Sequence, residues 1–209
     1  MKTFFKLLLF LIMAVCLVFS IHSFITNANN GTNCSTGGII TGQTEQFIID
    51  TFGCACSPEE LAKYILHFAL KNFTYDEDSI SFPQTADINR FIFLHDFHGV
   101  CMDFSAFVKS VFQVICRHKG WEHVGCHVVL GHDLRQREGH AVNYITVKMP
   151  DGTVKVYEFD VTRDLAIYKK GREPQGIRYF LFAVSQEAVP KIIRKAFSEF
   201  YQYPILVVT

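Results

Sequence analysis

The chain has 209 residues, of which 49% are hydrophobic and 19% are charged, so it is long and apolar enough to bury one ordinary globular core without disulfide or metal staples. Its 20 basic and 20 acidic side chains cancel. This balance excludes the basic field of a nucleic-acid-binding protein and the acidic excess of a solvating tail, so we expect no nucleic-acid partner.

The N-terminus has the layout of an export signal. Lys2 and Lys6 precede the uncharged apolar run of residues 7–19, and a polar stretch follows. Extended to residues 7–25, the run is just long enough to span a bilayer, so an uncleaved anchor is the alternative. We therefore assign residues 1–28 to a signal peptide or a membrane anchor. We expect a secreted, periplasmic or extracellular domain that meets a membrane only through this segment.

The next part of the chain predicts a tether and then helices. Residues 29–44 are rich in Asn, Gly, Thr and Ser, which indicates a flexible tether ahead of a domain over residues 45–209. Ser57 and Pro58 are a typical N-cap and first helical residue. Apolar residues follow at helical spacing: Leu61, Tyr64, Ile65, Phe68 and Ala69. A short second helix is predicted within residues 85–97.

The clearest helix follows Gly99 and covers residues 101–119. Its apolar residues share one face: Phe104, Phe107, Val108, Val111, Phe112 and Ile115. Gly120 supplies the C-cap after a basic last turn. Cys101 therefore begins a buried helix, and we expect Asp103 in the same turn to complement the helix dipole.

After this helix the pattern changes to β-strands, with Val, Ile, Tyr and Thr in short runs. Strands are predicted at 122–130, 141–149, 154–159 and 177–184, with a last helix at 189–200. Asp151 and Gly152 form the turn of a hairpin between the second and third strands. Helices followed by an antiparallel meander indicate the α+β class.

Three side chains with related chemistry lie at the ends of these elements. Cys101 is at a helix N-terminus, where unpaired N–H groups and the helix dipole favour a thiolate. His140 opens the second strand and Asp160 closes the third, at about equal distances from the hairpin turn, so we expect them to face each other and hydrogen-bond. Thiolate, imidazole and carboxylate suit the roles of nucleophile, proton shuttle and orienting group.

The sequence around these three positions resembles a known family. Residues 99–105 (GVCMDFS), 139–141 (GHA) and 159–162 (FDVT) are similar to the three signature blocks of the transglutaminase-like superfamily. The resemblance covers roughly residues 57–165. It implies a papain-like transglutaminase core, in which the nucleophile helix packs on an antiparallel β-sheet. It also implies that Cys101 is the nucleophile, His140 the general base and acid, and Asp160 the orienting residue.

Two departures from the family pattern concern the substrate cleft. Val142 stands where an aromatic residue often follows, and Val161 replaces a frequent Pro. These changes leave the triad intact and bear on the substrate class. The oxyanion hole is expected to use the backbone N–H of Cys101, with Gln84 and Asn89 as candidates for the second donor.

Nine histidines raise the question of a metal. His95, His98 and Cys101 recur at every third position, but this spacing matches no recognised zinc site. The same holds for the series His118, His123, His127 and His132. A zinc ion on Cys101 would also block the nucleophile. We therefore expect neither a metal nor a cofactor.

Seven cysteines fall to six once the N-terminal segment is removed. If Cys101 stays a thiolate, the other five are an odd set, so at most two disulfides form. Cys116 and Cys126 are the candidate pair, because the chain doubles back between them. Cys54 and Cys56 are too close along the chain to bridge comfortably to each other.

Our first hypothesis is therefore an exported cysteine-dependent acyl-transfer enzyme that acts on a peptide or protein substrate through a thioester. With water as acceptor it is a peptidase or amidase, which we favour. With a lysine amine as acceptor it is a protein-crosslinking transglutaminase. Two alternatives come from other classes: a catalytically silent peptide-binding domain on the same scaffold, and a small interaction module stabilised by disulfides or a metal.

Overall fold

A computed structural model describes residues 40–76, 88–93, 97–133, 138–184 and 204–208. All of them fall in the same unit of the chain, Thr36–Thr209. The predicted signal or anchor, most of the tether and the predicted last helix lie outside the described residues, so these assignments stay predictions. Among the described helices, none has both the length and the apolar character needed to cross a membrane.

The described residues form helices, a five-stranded antiparallel sheet and a two-stranded parallel sheet. The helices are α1 (Gly42–Phe52), α2 (Pro58–Asn72), α3 (Ile88–Phe93), α4 (Cys101–Lys119) and α5 (Val161–Lys169). The strands are β1 (Thr74–Tyr75), β2 (His98–Gly99), β3 (Val124–Asp133), β4 (Glu138–Lys148), β5 (Val154–Phe159), β6 (Ile177–Val184) and β7 (Pro204–Val208).

The two helices with the strongest sequence signals, α2 and α4, are confirmed. At the start of α2, Ser57 Oγ accepts a hydrogen bond from the Glu60 N–H at 3.1 Å, and Pro58 occupies the first turn. At the end of α4, Gly120 adopts the left-handed conformation with φ of 67° and returns its N–H to the last carbonyls of the helix. The short predicted helix is present as α3.

Helix α1 was not predicted, and it includes residues 42–44, which we assigned to the tether. Thr41 is its N-cap, with Oγ1 accepting from the Thr44 N–H at 3.3 Å. Ile48 and Phe52 carry the helix into the core, being 0% and 1% exposed. This helix was missed in the sequence analysis because its first turn is polar and only a few of its side chains are buried.

The main sheet has five strands in the order β6-β5-β4-β3-β7, and all neighbours are antiparallel. The predicted hairpin between β4 and β5 is confirmed, with Gly152 at φ of 83° in its turn. Strands β3 and β4 extend further towards each other than predicted. The edge strand β7 was not predicted at all.

Helix α4 packs across β3 and β4, and the core lies between them and the other helices. The centre of this core is a cluster of phenylalanine rings whose centroids are 4.7 to 6.3 Å apart. Its members are Phe47, Phe52, Phe68, Phe73, Phe91, Phe97, Phe104 and Phe107. The predicted α+β class, with the helix that begins at Cys101 packed on an antiparallel sheet, is confirmed.

Candidate active site

Cys101 is the first residue of α4, and the backbone that leads to it is fixed from both sides. The short strands β1 and β2 pair in parallel, and the Asp76 N–H donates to the Gly99 carbonyl at 3.0 Å. Asp103 reaches back from the first turn, so that its Oδ2 accepts the Val100 N–H at 2.8 Å. Asp103 therefore fixes the entry to the helix as well as complementing its dipole.

Gly99 is required for this arrangement. A Cβ atom at this position would lie 2.7 Å from Asp103 Oδ2 and 2.8 Å from Asp103 Cβ, closer than any real contact. Only glycine leaves room for the Asp103 side chain to fold back over the chain. The presence of glycine two residues before α4 thus has a steric explanation.

The Cys101 side chain points at the sheet. It is 8% exposed, packs against Val128 and Ala141, and its Sγ lies 3.9 Å from the Gly139 carbonyl oxygen. A buried bond between Asn143 Nδ2 in β4 and the carbonyl of Ser105 in α4, at 2.9 Å, ties the helix to the strand. Cys101 is one turn before that contact in the helix, so the bond holds it beside the start of β4.

His140 and Asp160 are joined by a hydrogen bond of 2.9 Å between Nε2 and Oδ2. We expected the two residues to face each other directly across the hairpin, and they do not. His140 pairs with Gly131 in β3, and the β4–β5 ladder ends at Asn143 and Phe159, so the contact is diagonal, beyond the last paired residues. Residues two apart on one face of a sheet are still within reach of long side chains. The predicted hydrogen bond between His140 and Asp160 is therefore present, but the strand register from which we predicted it was wrong.

Asp160 is positioned by a helix that the sequence analysis missed. It is the N-cap of α5, and its Oδ1 accepts the Arg163 N–H at 3.0 Å while Oδ2 bonds to His140. The signal was an Asp placed directly after a strand, a strong N-cap residue. Its side chain is 0% exposed, against 20% for His140.

The charges of this pair support each other. Burial alone would lower the pKa of His140, but the hydrogen bond and charge of Asp160, together with a hydrogen bond to Cys101, raise the pKa to about 10. Burial acts to raise the pKa of Asp160, and the contacts with His140 and with Arg163 outweigh it, so that this pKa is lowered. An imidazolium and a carboxylate are the favoured forms. With Nε2 on Asp160, Nδ1 is the ring nitrogen left for the thiol.

The structure thus brings the three predicted residues together, in the order Cys101, His140, Asp160. The two departures from the family pattern are both buried: Val142 is 0% exposed and Val161 is 3% exposed. We expected these two side chains to line the substrate cleft, but they pack inside the domain.

Asn89, one candidate for the second oxyanion donor, has its Oδ1 at the start of α1. That oxygen accepts from the Thr41 N–H at 3.0 Å and from Thr44 Oγ1 at 2.7 Å. The residue therefore joins α3 to the N-cap of α1. The other candidate, Gln84, lies outside the described residues.

The predicted disulfide between Cys116 and Cys126 is wrong. Both are free thiols, and burial raises the pKa of each to about 12. Cys126 Sγ instead accepts a hydrogen bond from Asn143 Nδ2 at 3.6 Å. Cys54 and Cys56 are free and exposed.

The histidines with metal-like spacing are spread over the structure. His98 is exposed in β2, His123 is exposed before β3, and His127 bonds to Thr146 Oγ1 at 3.1 Å. Within the described ranges, no three His, Cys, Asp or Glu side chains are grouped to hold a metal. His95 and the His132 side chain are not part of the description.

No family model and no curated protein matches the chain. It matches four chains of solved structures, among them the following two. One is a candidate cysteine protease from Cytophaga hutchinsonii, with 16% identity and a TM-score of 0.41 over 58% of this chain. The other is a TGase, with 17% identity and a TM-score of 0.37 over 69% of this chain. The match spans 37% of the length of each of these structures.

Proposed function

We propose that this chain is an exported cysteine-dependent acyl-transfer enzyme that hydrolyses peptide or amide bonds through a thioester. The observation that carries the proposal is the chain of contacts from the Cys101 thiol to the His140 imidazole and on to the buried Asp160 carboxylate. A thiol at a helix N-terminus, next to an imidazole that a carboxylate orients, is the arrangement that nucleophilic catalysis needs.

In the acylation half, the Cys101 thiolate attacks the acyl carbon of the substrate and the carbonyl electrons move onto oxygen. The tetrahedral intermediate collapses, the C–N bond breaks, and the His140 imidazolium gives its proton to the leaving amine. A thioester on Cys101 remains. The Cys101 N–H, in the first turn of α4, is the oxyanion donor that the helix N-terminus offers.

In the deacylation half, neutral His140 takes a proton from water as the water oxygen attacks the thioester carbon. The C–S bond breaks and the acid is released, with the thiolate and imidazolium restored. Asp160 holds the Nε2–H of the imidazole throughout, and its negative charge stabilises the imidazolium in both halves. A primary amine in place of water would give an amide, and a lysine side-chain amine would give an isopeptide bond.

The proposed substrate is an extended peptide or a side-chain amide. Cys101 is 8% exposed and the His140 side chain 20% exposed, so the site opens to solvent over a small area at the start of α4 and β4. An extended peptide or a side-chain amide fits such an opening better than a bulky rigid ligand. Export through residues 1–28, by a signal peptide or an anchor, is supported by the two lysines and the apolar run that follows them.

The test uses a thiol-reactive probe that mimics an acyl amide, with labelling located by peptide mass spectrometry. We expect the wild-type protein to be labelled at Cys101 and Cys101→Ala to lose that label while keeping its circular dichroism spectrum. Cys54→Ala removes an exposed free thiol away from the triad and serves as the matched control, so its Cys101 label should persist. Undiminished labelling of Cys101→Ala, or a wild-type label on other cysteines but not on Cys101, would overturn the proposal.

The acceptor is decided by incubating the protein with a peptide library and a labelled primary amine. Cleaved peptides without amine incorporation support hydrolysis. Incorporation of the amine in preference to cleavage would identify a crosslinking enzyme on the same triad. If neither product forms and peptides are retained unchanged, the chain is a silent peptide-binding domain and the hydrolytic proposal fails.

A further inference from the structure

A second buried carboxylate, Glu158, lies two residues before Asp160. Its side chain is 0% exposed and accepts three hydrogen bonds. Tyr144 Oη–H donates to Oε2 at 3.0 Å, Arg163 Nη1 donates to Oε1 at 2.9 Å, and Arg178 Nη2 donates to the same Oε1. Tyr144 and Arg178 are the direct neighbours of Glu158 on β4 and β6, so the sheet register itself builds this cluster.

The Arg163 guanidinium lies between the two carboxylates. Its Nη1 is 2.9 Å from Glu158 Oε1 and 3.8 Å from Asp160 Oδ2, the same oxygen that bonds to His140. At 3.8 Å, Arg163 acts on Asp160 as a charge and not as a hydrogen-bond donor. Within the described part of the chain, Arg163 Nε and Nη2 are buried without a hydrogen-bond partner. The guanidinium therefore has donors to spare, and a free guanidinium pairs readily with a carboxylate in a bidentate manner.

We propose that Glu158 is a positioning residue of the triad: by holding Arg163, it keeps Asp160 Oδ2 available to His140. Its importance for catalysis rests on the proposed function. Without Glu158, Arg163 would move onto Asp160 and compete with His140 for Oδ2. The imidazole would then lose its acceptor and gain a nearby positive charge, and both changes weaken its hold on the proton that Cys101 supplies.

Asp164, the other carboxylate near Arg163, would not prevent Arg163 from competing with His140 for Asp160 Oδ2. Asp164, one residue further along α5, is buried and accepts the N–H groups of Gln175 and Gly176 at 2.9 and 3.0 Å. Its carboxylate is thus directed at the segment before β6 and meets Arg163 only through charge. The groups that face His140 are Asp160 and Cys101, with Glu158 acting at longer range.

The experiment compares Glu158→Gln, Arg163→Met and the double variant with the wild type. The first readout is the titration midpoint of the His140 imidazole, followed by NMR on histidine-labelled protein. The second is the alkylation rate of Cys101 at pH 7, measured for the Cys101 peptide by mass spectrometry. We expect Glu158→Gln to lower the midpoint by about one pH unit or more and to slow alkylation about tenfold.

The double variant is the critical sample. It has the net charge of the wild type and lacks Arg163, which of the two guanidiniums on Glu158 is the one that lies 3.8 Å from Asp160 Oδ2, so both readouts should return towards wild-type values. Arg163→Met alone should leave the midpoint unchanged or raise it. Strictly additive effects of the two substitutions, or no shift in Glu158→Gln, would overturn the proposal. Should Glu158→Gln not fold, a lowered midpoint in Arg163→Met would overturn it as well.

The chain offers a matched control in the surface pair of Glu45 and Arg117, which are 2.8 Å apart and 38% and 63% exposed. Glu45→Gln and the double variant with Arg117→Met should change neither readout. Both readouts use the resting protein without substrate. If the wild type then lacks acyl-transfer activity, the proposed function fails while the positioning role of Glu158 is still decided by the titration.

Discussion

The substitution Asp160→Asn separates the charge of Asp160 from its structural role. Asn caps helices as well as Asp does, so the start of α5 should survive the change. What is lost is the carboxylate whose hydrogen bond and negative charge, together with Cys101 and against the effect of burial, raise the pKa of His140 from 6.5 to about 10. At about 1.4 kcal/mol per pKa unit the whole rise is equivalent to roughly 5 kcal/mol. Since Cys101 supplies part of it, we expect Asp160→Asn to cost about 3 kcal/mol near neutral pH.

The pH dependence of this cost follows from the sign of the shift. Because the pKa of His140 is higher in the folded than in the unfolded protein, its stabilisation is complete below pH 6.5 and is lost as the pH rises towards about 10. The stability difference between wild type and Asp160→Asn should therefore shrink over that interval.

Urea denaturation under reducing conditions, at several values between pH 6.5 and 10, measures the free energy of unfolding of both proteins. Asp151→Asn, in the exposed β4–β5 turn, is the matched control and should show no such trend. A difference between wild type and Asp160→Asn that stays constant across this interval would refute the reasoning.

Three further predictions concern stability and are measured by urea denaturation. Burial, and to a smaller extent the charge of Lys109, lowers the pKa of His127 to about 4. The wild-type protein should therefore lose stability as the pH falls from 6.5 towards 4, and His127→Gln should lose less stability over this interval. Parallel curves of stability against pH for the two proteins would contradict this prediction. Phe107→Ala removes a fully buried ring from the phenylalanine cluster and should cost about 3 to 5 kcal/mol, and a cost below about 1 kcal/mol would contradict the described core. Gly120→Ala places a Cβ in open space at φ of 67°, so its cost of about 1 kcal/mol should be purely conformational, and Gly120→Asn should cost less.

The sequence predicted those elements whose local signals agree with their packing. Helix α4 has one apolar face, a basic last turn and a C-cap glycine, and its bounds were predicted to the residue. The start of α2 has a capping pattern that the structure uses. In contrast, β7 is an edge strand whose pairing with β3 is set at long range, so it has no strong local pattern. Helix α1 does have a local signal, the N-cap Thr41 followed by Ile48 and Phe52 at helical spacing, which the sequence analysis did not use.

The candidate site was predictable to the extent that its residues lie at element ends. Cys101, His140 and Asp160 could be found from a helix start and a hairpin. The diagonal contact of His140 depends on the β4–β5 register, which the turn residues alone did not give. Glu158 and Arg163 could not be found, because a single Glu in a strand and a single Arg after it are ordinary surface residues in a sequence. Only the fold makes them a buried cluster.

The most direct test of the account is to look for the thioester itself. Wild-type protein is mixed with a library of peptide amides, quenched in acid within the turnover time, and digested for mass spectrometry. The account predicts an acyl group on the Cys101 peptide that hydroxylamine releases, and that does not form in His140→Ala, because the imidazole is needed for acylation as well as for deacylation. Peptide cleavage without any acyl group on Cys101, or cleavage that persists in Cys101→Ala, would contradict it.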